Sequence, residues 1–298
     1  NYSLKFRILA RLRKFLSRFP EKNLVMVLSL LVGVLCGLAA VLLKFLIEGI
    51  HHGLTFWFGE SDLWNYLFLI YPGLGMLVAM LFVKYVVRDN IGHGVTKVLL
   101  AVSKNESKIR SHNMWTSLLA SSVTIGTGGS VGAEAPIVYT GAAIGSNLAR
   151  YAGLSYKNVT ILLGCGAAGA VAGIFKAPLA GVLFTLEILL FNISMSSILP
   201  LLLSTVSATV VSYIFLGNGA AFKCDLMPFT MHNIPFYIIL GLFCAACSIY
   251  FTRTTLWLED KIKSIKSPYL RWGVSALGLG LLIFLFPPLY GEGYGVLS

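Results

Sequence analysis

A glycine-rich stretch at residues 126–136 carries the chemistry that is easiest to interpret. It reads Gly-Thr-Gly-Gly-Ser-Val-Gly-Ala-Glu-Ala-Pro and leads into an apolar run. Proline is accepted in the first turn of a helix, so Pro136 predicts that a helix begins here. Free backbone N–H groups at such a helix end bind anions without a cationic side chain, and glycine lets the ion come close. The residues predicted to contact the anion are Gly132, Ala133, Glu134 and Ala135.

Glu134 is the unusual member of this group. A carboxylate in a membrane segment is costly and indicates a functional role by default. At a helix N-terminus its negative charge is stabilised, so the side chain can occupy the position of the anion itself. Protonation would neutralise it and free that position, which makes Glu134 a candidate gate that is coupled to a proton. A helix cap or a salt bridge is the structural alternative.

At two further places, a segment rich in glycine precedes the predicted start of a helix. Gly92-His93-Gly94 precedes a short apolar helix, and we predict that these three residues form a second anion contact, on the side opposite Glu134. Residues 164–187 are rich in glycine and alanine, which allows tight helix packing, and Pro178 restarts a helix there.

The elements that must position these residues are membrane helices. Apolar residues make up 57% of the 298 positions and charged residues only 12%, against roughly a quarter in ordinary soluble domains. A span needs about 20 apolar residues, and the clearest candidates are 24–47, 66–87, 157–174 and 233–252. The sequence therefore predicts an all-α polytopic membrane protein in contact with the lipid bilayer. The net charge of +11 does not indicate a nucleic-acid partner, because the cations lie before or between the apolar runs.

The distribution of charge predicts the orientation. Cations are concentrated before the first span and again in residues 88–112, whereas residues 51–65 contain Glu60 and Asp62. Positive-inside counting places the N-terminus and residues 88–112 in the cytoplasm and residues 51–65 outside. Residues 1–22 alternate basic and apolar positions, which favours an amphipathic helix on the inner leaflet, a solvated basic tail being the alternative. We expect a multi-pass protein of a bacterial inner membrane.

The middle of the chain indicates a transport pathway. Residues 91–216 consist of shorter apolar pieces broken at 126–136 and 173–178. Broken helices at membrane depth are tolerated only in protein interiors or beside water-filled cavities. Helix ends in the membrane interior present a partial positive charge to an anion. Close packing through small residues is the alternative.

Three segments together resemble the CLC family of chloride channels and proton-coupled chloride exchangers. Residues 132–136 are similar to the family motif G-[KR]-E-G-P, whose glutamate is the external gate and outer proton acceptor. Residues 177–187 are similar to N-A-P-L-A-G-x-L-F-x-x-E, and residues 92–96 to G-S-G-I-P, whose serine touches the central anion. The resemblance covers about residues 24–298 and implies transport of chloride or a similar small anion, by a voltage-gated channel or by an antiporter.

The resemblance also implies a CLC-like inverted-repeat fold with broken helices, and a homodimer whose interface uses helices in residues 179–216. The expected divisions are a cytoplasmic helix at 1–22, a first repeat with the anion-pathway motifs at 23–218, a linker at 219–232 and the start of a second repeat at 233–298. The second repeat is expected to be incomplete in this chain, because the family's G-x-F-x-P motif and anion-contacting tyrosine would fall beyond Ser298. Tyr290 and Tyr294 are not assigned that tyrosine's role.

Three departures from the family pattern affect the mechanism. Ala133 replaces a basic residue, which weakens the local field, and His93 replaces the serine with an imidazole that titrates near neutrality. These two changes leave the preferred anion open. Ile188 occupies the position of the inner proton-transfer glutamate of many exchangers, and Glu187 cannot substitute because one residue turns a side chain by about 100° around a helix. Passive conduction is therefore favoured over proton-coupled exchange.

Other classes of function have weaker support in the sequence. An intramembrane serine protease would use Ser130 with His93 or His112, but no hydrolase motif surrounds that serine. The histidines fit no metal-ligand spacing, and Cys244 and Cys247 lie in an apolar run that indicates packing. A purely structural helical bundle would leave Glu134 unexplained. We therefore expect neither an enzyme nor a resident cofactor or metal.

Overall fold

The computed structural model describes residues 20–58, 64–89, 94–188, 195–217, 219 and 230–293, and within them every regular element is a helix. The α-helices are α1 Glu21–Phe58, α2 Trp64–Leu81, α3 Gly94–Lys104, α4 Thr116–Gly126, α5 Glu134–Ala152, α6 Tyr156–Phe175, α7 Pro178–Ile188, α8 Met195–Leu216, α9 Ile234–Lys263 and α10 Pro268–Leu285. A π-helical turn at Phe82–Val87 continues α2, and 3-10 turns cover Ser111–Met114, Met231–Asn233 and Pro287–Leu289.

Six helical segments of the described chain are long and apolar enough to cross a membrane. They are Glu21–Leu54, Leu69–Val87, Tyr156–Phe175, Ser197–Leu216, Met231–Lys263 and Pro268–Leu285. Four of them coincide with the spans predicted from the sequence, which confirms the polytopic α-helical class. Most of the segment for which a surface helix was predicted lies before Pro20, outside the described part of the chain.

The predicted breaks of the central region are confirmed at both places. α4 ends at Gly126 and α5 begins at Glu134, while α6 ends at Phe175 and α7 begins at Pro178. The prediction of short pieces up to residue 216 is wrong for its last part, because α8 runs for 22 residues as one helix.

The serines of α8 support helix packing and do not break the helix. Ser204 Oγ donates a hydrogen bond to the Cys165 carbonyl at 2.7 Å, and Ser212 Oγ donates to the Gly173 carbonyl at 2.6 Å. Both acceptors belong to α6, so the hydroxyls join two neighbouring helices at membrane depth. Serines spaced in this way look like helix breaks in the sequence but act as interhelical contacts in the fold.

α6 lies at the centre of the bundle and packs closely against α5, α1, α7 and α8. The crossing of α5 and α6 depends on a pair of glycines. A Cβ built on Gly166 would lie 2.6 Å from the carbonyl carbon of Gly141, and one built on Gly141 would lie 2.9 Å from the carbonyl carbon of Gly166. The two backbones therefore approach closer than any residue with a side chain allows, which fixes the depth of α5 in the bundle.

The C-terminal half of α5 is tied to the loop that follows α3. Ser146 Oγ donates to the Ser107 carbonyl at 2.6 Å and accepts from the Ile109 N–H at 3.2 Å. Asn147 Nδ2 donates to the Ile109 carbonyl at 3.1 Å. These buried bonds hold α3 against α5, and so they also set how the first turns of the two helices meet.

α10 packs against α2, with Trp272 Nε1 donating to the Gly73 carbonyl at 2.8 Å. This contact places the 3-10 turn at Pro287–Leu289 and the residues after it next to the glycine-rich stretch between α4 and α5. One backbone hydrogen bond links the two segments directly, from the Gly291 N–H to the Gly128 carbonyl at 3.3 Å.

Candidate functional site

The glycine-rich stretch ends in a helix N-terminus, as its proline predicted. Ala133 precedes the first residue of α5 and is fully buried, Glu134 is that first residue, and Pro136 stands two residues later in the first turn. The first N–H groups of an α-helix have no partner within the helix, and the aligned peptide dipoles concentrate partial positive charge there. The start of α5 can therefore stabilise negative charge inside the bundle.

Glu134 turns its own carboxylate back over this end of the helix. A Cβ built on Gly132 would lie 2.8 Å from the carboxyl carbon of Glu134 and closer still to Oε2. Only glycine at position 132 leaves room for the carboxylate in this position. The side chain of Glu134 is partly buried, so it lies at the mouth of the site and not in bulk solvent.

The start of α3 meets the start of α5. A Cβ built on Gly94, the first residue of α3, would lie 2.9 Å from the carbonyl carbon of Ala135 and 3.2 Å from the Cβ of Tyr139. Two helix N-termini thus come together, one from each of two segments in which anion contacts were predicted. The prediction that the second contact lies on the side opposite Glu134 is therefore wrong for Gly94, which lies against the residue that follows Glu134. Gly92 and His93, the other predicted residues of the first segment, lie outside the described part of the chain.

A second carboxylate lies beside this site and was not predicted from the sequence as functional. Burial raises the pKa of Glu292, the charges of Glu134 and Glu48 raise it further, and the ammonium of Lys44 opposes the shift. Glu292 Oε1 is buried and has no hydrogen-bond partner in the described chain. The sequence does contain a signal, since Glu292 is an acid between two glycines that closely follows an apolar helix.

Tyr290 fixes the segment that carries Glu292. A Cβ built on Gly128 would lie 2.6 Å from Cδ2 of the tyrosine, so the ring lies directly against the backbone of that glycine, whose φ of +97° also requires glycine. The ring centroid is 5.6 Å from that of His51 on α1. Burial, with a smaller contribution from Tyr71, raises the pKa of Tyr290 to about 12. Tyr290 therefore serves as a neutral packing residue here.

The two residues at the end of α7 point to different surroundings. Ile188 is half-buried against the apolar cluster that includes Tyr139 and Val98, whereas Glu187 is exposed. This difference agrees with the turn of about 100° between neighbouring helical residues. The position that the resemblance equates with an inner proton-transfer glutamate thus packs against the protein interior and holds an apolar side chain.

In the described part of the chain, the structure does not bring together the residues that a serine protease or a metal site would need. His112 Nε2 is 3.2 Å from Asp89 Oδ2, and its Nδ1 is 3.4 Å from Thr116 Oγ1, so both ring nitrogens have other partners than Ser130. The described residues contain no group of three or more His, Cys, Asp or Glu side chains that is arranged to hold a metal. Cys36 and Cys165 are buried free thiols, whereas Cys244 and Cys247 are exposed on α9, so the prediction that these two pack within a helix bundle finds no support in the described contacts.

Comparison with known proteins identifies similar sequences and structures. The sequence model of the family described as voltage gated chloride channel matches residues 74–298. The chloride channel protein CLC-e of Arabidopsis thaliana is 28% identical over 300 residues, which cover 92% of this chain and 41% of that protein.

Two solved structures share the fold. A slow cyanobacterial Cl-/H+ antiporter has a TM-score of 0.79 at 21% identity, covering 93% of this chain and 66% of that one. A CLC-type fluoride/proton antiporter has a TM-score of 0.74 at 25% identity, covering 91% of this chain and 66% of that one. The chain therefore spans between about two fifths and two thirds of the length of these three proteins.

Proposed function

The chain belongs to the voltage-gated chloride channel family, known as the CLC family, and on that premise we propose that it transports chloride or a similar small anion through a pore gated by protonation of Glu134. The observation that carries the proposal is the meeting of two helix N-termini, at Gly94 and Ala135, beside the Glu134 carboxylate. Such an arrangement attracts an anion by backbone dipoles and binds it weakly enough to release it.

The proposed anion contacts are the backbone of the two helix starts together with the gate. Ala133 is buried and uncharged, so any positively charged side chain that attracts the anion must lie on another helix. The residues proposed to contact the anion are Gly92, His93, Gly94, Gly132, Ala133, Glu134 and Ala135.

We favour passive conduction over exchange because Ile188 is packed against apolar residues and offers no proton acceptor at that position. Proton-coupled exchange is the alternative, and it is favoured by the second protonatable group, Glu292, beside Glu134. Two structural neighbours are described as a Cl-/H+ antiporter and a fluoride/proton antiporter. Both chloride and fluoride therefore belong in the test.

We also propose that the protein is a homodimer in a bacterial inner membrane with its N-terminus in the cytoplasm. Support for the dimer comes from α7, where Leu179 and Leu183 stand one helical turn apart and are 69% and 65% exposed. Residues 1–22 are proposed as a surface helix, 23–218 as the first repeat, 219–232 as a linker and 233–298 as the start of the second repeat.

The proposal is tested by anion efflux from liposomes that contain the full-length protein, with external pH recorded beside chloride or fluoride. Glu134→Gln is compared with Asp260→Asn, a matched loss of one carboxylate at an exposed position on α9. Anion efflux without proton movement supports a channel. Proton uptake that stops in Glu134→Gln but not in Asp260→Asn supports an exchanger. If no anion moves in any of the proteins, or if Glu134→Gln transports with the same pH dependence as the unaltered protein, the proposal is wrong.

A further inference from the structure

A pocket of about 590 Å³ opens where α1, α6 and α8 begin. Its volume lies within the range of small-ligand sites, roughly 300–1,000 Å³. Lys22 on its rim and Lys44 beside the anion site belong to the same helix, and 22 residues at 1.5 Å each separate them by about 33 Å. The pocket is therefore separate from the candidate anion site.

The rim of the pocket is cationic. Lys22 and Lys157 are exposed and line it, and neither forms an ion pair among the residues that the structure describes. The neighbouring acid, Glu21, lies beside the same rim, because its Oε2 accepts hydrogen bonds at 2.6 Å from Nδ2 of Asn158, which also lines the pocket, and at 3.3 Å from Ser155 Oγ. Two ammonium groups and one carboxylate thus stand beside one cavity, which leaves its rim with a net positive charge.

The deeper part of the pocket is apolar. Val25 and Met26 follow Lys22 by three and four residues, and Ile161 follows Lys157 by four, so each cation has apolar side chains one turn below it on the same helix face. Leu199 of α8 lines the same part and is 47% exposed. One helical turn is about 5.4 Å, which places the charged and apolar levels at successive depths.

The pocket also lies where three candidate membrane spans begin. The candidate spans that contain its walls begin at Glu21, Tyr156 and Ser197, each within a few residues of the pocket. A cationic level at the ends of two of these spans, with an apolar level one turn deeper that the third span helps to line, matches the two chemical parts of a phospholipid. Basic pockets between membrane helices bind anionic headgroups in this way.

We propose that this pocket binds an anionic phospholipid, with its phosphate between Lys22 and Lys157 and its first acyl carbons against Val25, Met26 and Ile161. Positive-inside counting predicts that the lipid belongs to the inner leaflet. The chain's own N-terminal segment is a poor occupant, because residues 1–19 contain six cations and no acid and would be repelled by the two lysines. The same segment would add to the attraction for an anionic surface.

The experiment measures the melting temperature of the full-length protein, purified in detergent, while phosphatidylglycerol, phosphatidylcholine or inorganic phosphate is titrated. Phosphatidylglycerol should raise the melting temperature at lower concentrations than phosphatidylcholine. In the double variant Lys22→Gln with Lys157→Gln, the concentration needed for half of that rise should increase roughly tenfold or more, since each lysine near a membrane surface contributes about 1 kcal/mol toward an anionic lipid. The matched control is Lys104→Gln with Lys266→Gln, which removes two exposed cations outside the pocket.

Each outcome decides for or against the site. A control that loses the lipid effect as fully as the double variant would show a general charge effect and overturn the proposal. An equal rise with inorganic phosphate would assign the pocket to a free anion and overturn the lipid. If the double variant does not fold, the unaltered protein still decides, because an equal response to phosphatidylglycerol and phosphatidylcholine would also overturn it.

Discussion

Replacing Gly94 by alanine should weaken anion transport more than any other single methyl group added to α3. A Cβ at this position would lie 2.9 Å from the carbonyl carbon of Ala135 and closer still to its oxygen, whereas ordinary contact begins at 3.4 Å. The start of α3 or the start of α5 must therefore shift away from the other. Both are backbone segments, and α5 is held in depth by its glycine contact with α6, so the movement cannot be absorbed by a side chain.

The expected loss follows from the cost of such crowding. An extra methyl group in a well-packed interior costs typically about 1–3 kcal/mol. If that cost falls on the anion-bound arrangement of the two helix ends, anion affinity should fall roughly 5- to 150-fold, at about 1.4 kcal/mol for each factor of ten. Calorimetric titration of the folded protein with chloride and fluoride measures the affinity, and efflux from liposomes measures the rate.

A matched control separates crowding from the simple loss of glycine. Gly278→Ala adds the same methyl group to the interior of α10, where nothing lies within 4 Å of the new carbon. This variant should bind and transport like the unaltered protein and be equally or more stable, since alanine favours a helix over glycine by about 1 kcal/mol. If Gly94→Ala is folded and keeps unaltered affinity and rate, the close approach of the two helix ends is not part of the anion site.

Two further predictions concern charged side chains near the end of α1 that is opposite to the pocket lined by Lys22 and Lys157. Glu292→Gln should increase anion efflux at an external pH of about 8 and leave it unchanged near pH 4, because a carboxyl whose pKa is raised by burial is ionised only at the higher pH. The efflux rate of the variant divided by that of the unaltered protein should therefore differ between the two pH values, and the same quotient at both would contradict the prediction. Lys176→Met should lower the free energy of unfolding by about 1–3 kcal/mol, since its Nζ donates to the carbonyls of Leu216, Gly217 and Gly219 at the end of α8 at 3.2, 2.8 and 2.8 Å. Thermal unfolding in detergent measures that loss, and Lys266→Met, an exposed lysine, should show almost none.

The spans and breaks of the fold could be predicted because each depends on local sequence. Runs of apolar residues fix the spans, and Pro136 and Pro178 mark helix starts through their missing N–H groups. The continuity of α8 could not be predicted, because its serines find their partners on α6, a helix that lies far from them in the chain. A hydroxyl that bonds within its own turn and one that joins two helices look the same in a sequence.

The candidate site also has one part that depends on local sequence and another that depends on packing between distant segments. Glu134 and its helix end are local features and were found from the sequence, while the approach of Gly94 to Ala135 joins two distant segments and is set by packing. Glu292 was missed because it lies far from Glu134 along the chain, and tertiary contacts bring the two segments together, among them the packing of Tyr290 on Gly128 and the hydrogen bond from the Gly291 N–H to the Gly128 carbonyl. The family motifs cover the local part and say nothing of this contact.

The charges around Glu134 indicate how the site works without a basic residue at Ala133. Lys44 is the one cation that acts on Glu292 in the described chain, against the three carboxylates Glu48, Glu134 and Glu292. With all four groups ionised the group is net negative, and an approaching anion is repelled before it reaches the helix ends. Neutralising two of the three carboxylates would leave the group without net charge, whereas a fixed cation at position 133 would offset one of those negative charges at every pH. We therefore expect the alanine at position 133 to make anion access in the proposed pathway depend more strongly on external protons, and Ala133→Arg should flatten the pH dependence of efflux while Glu134 is retained.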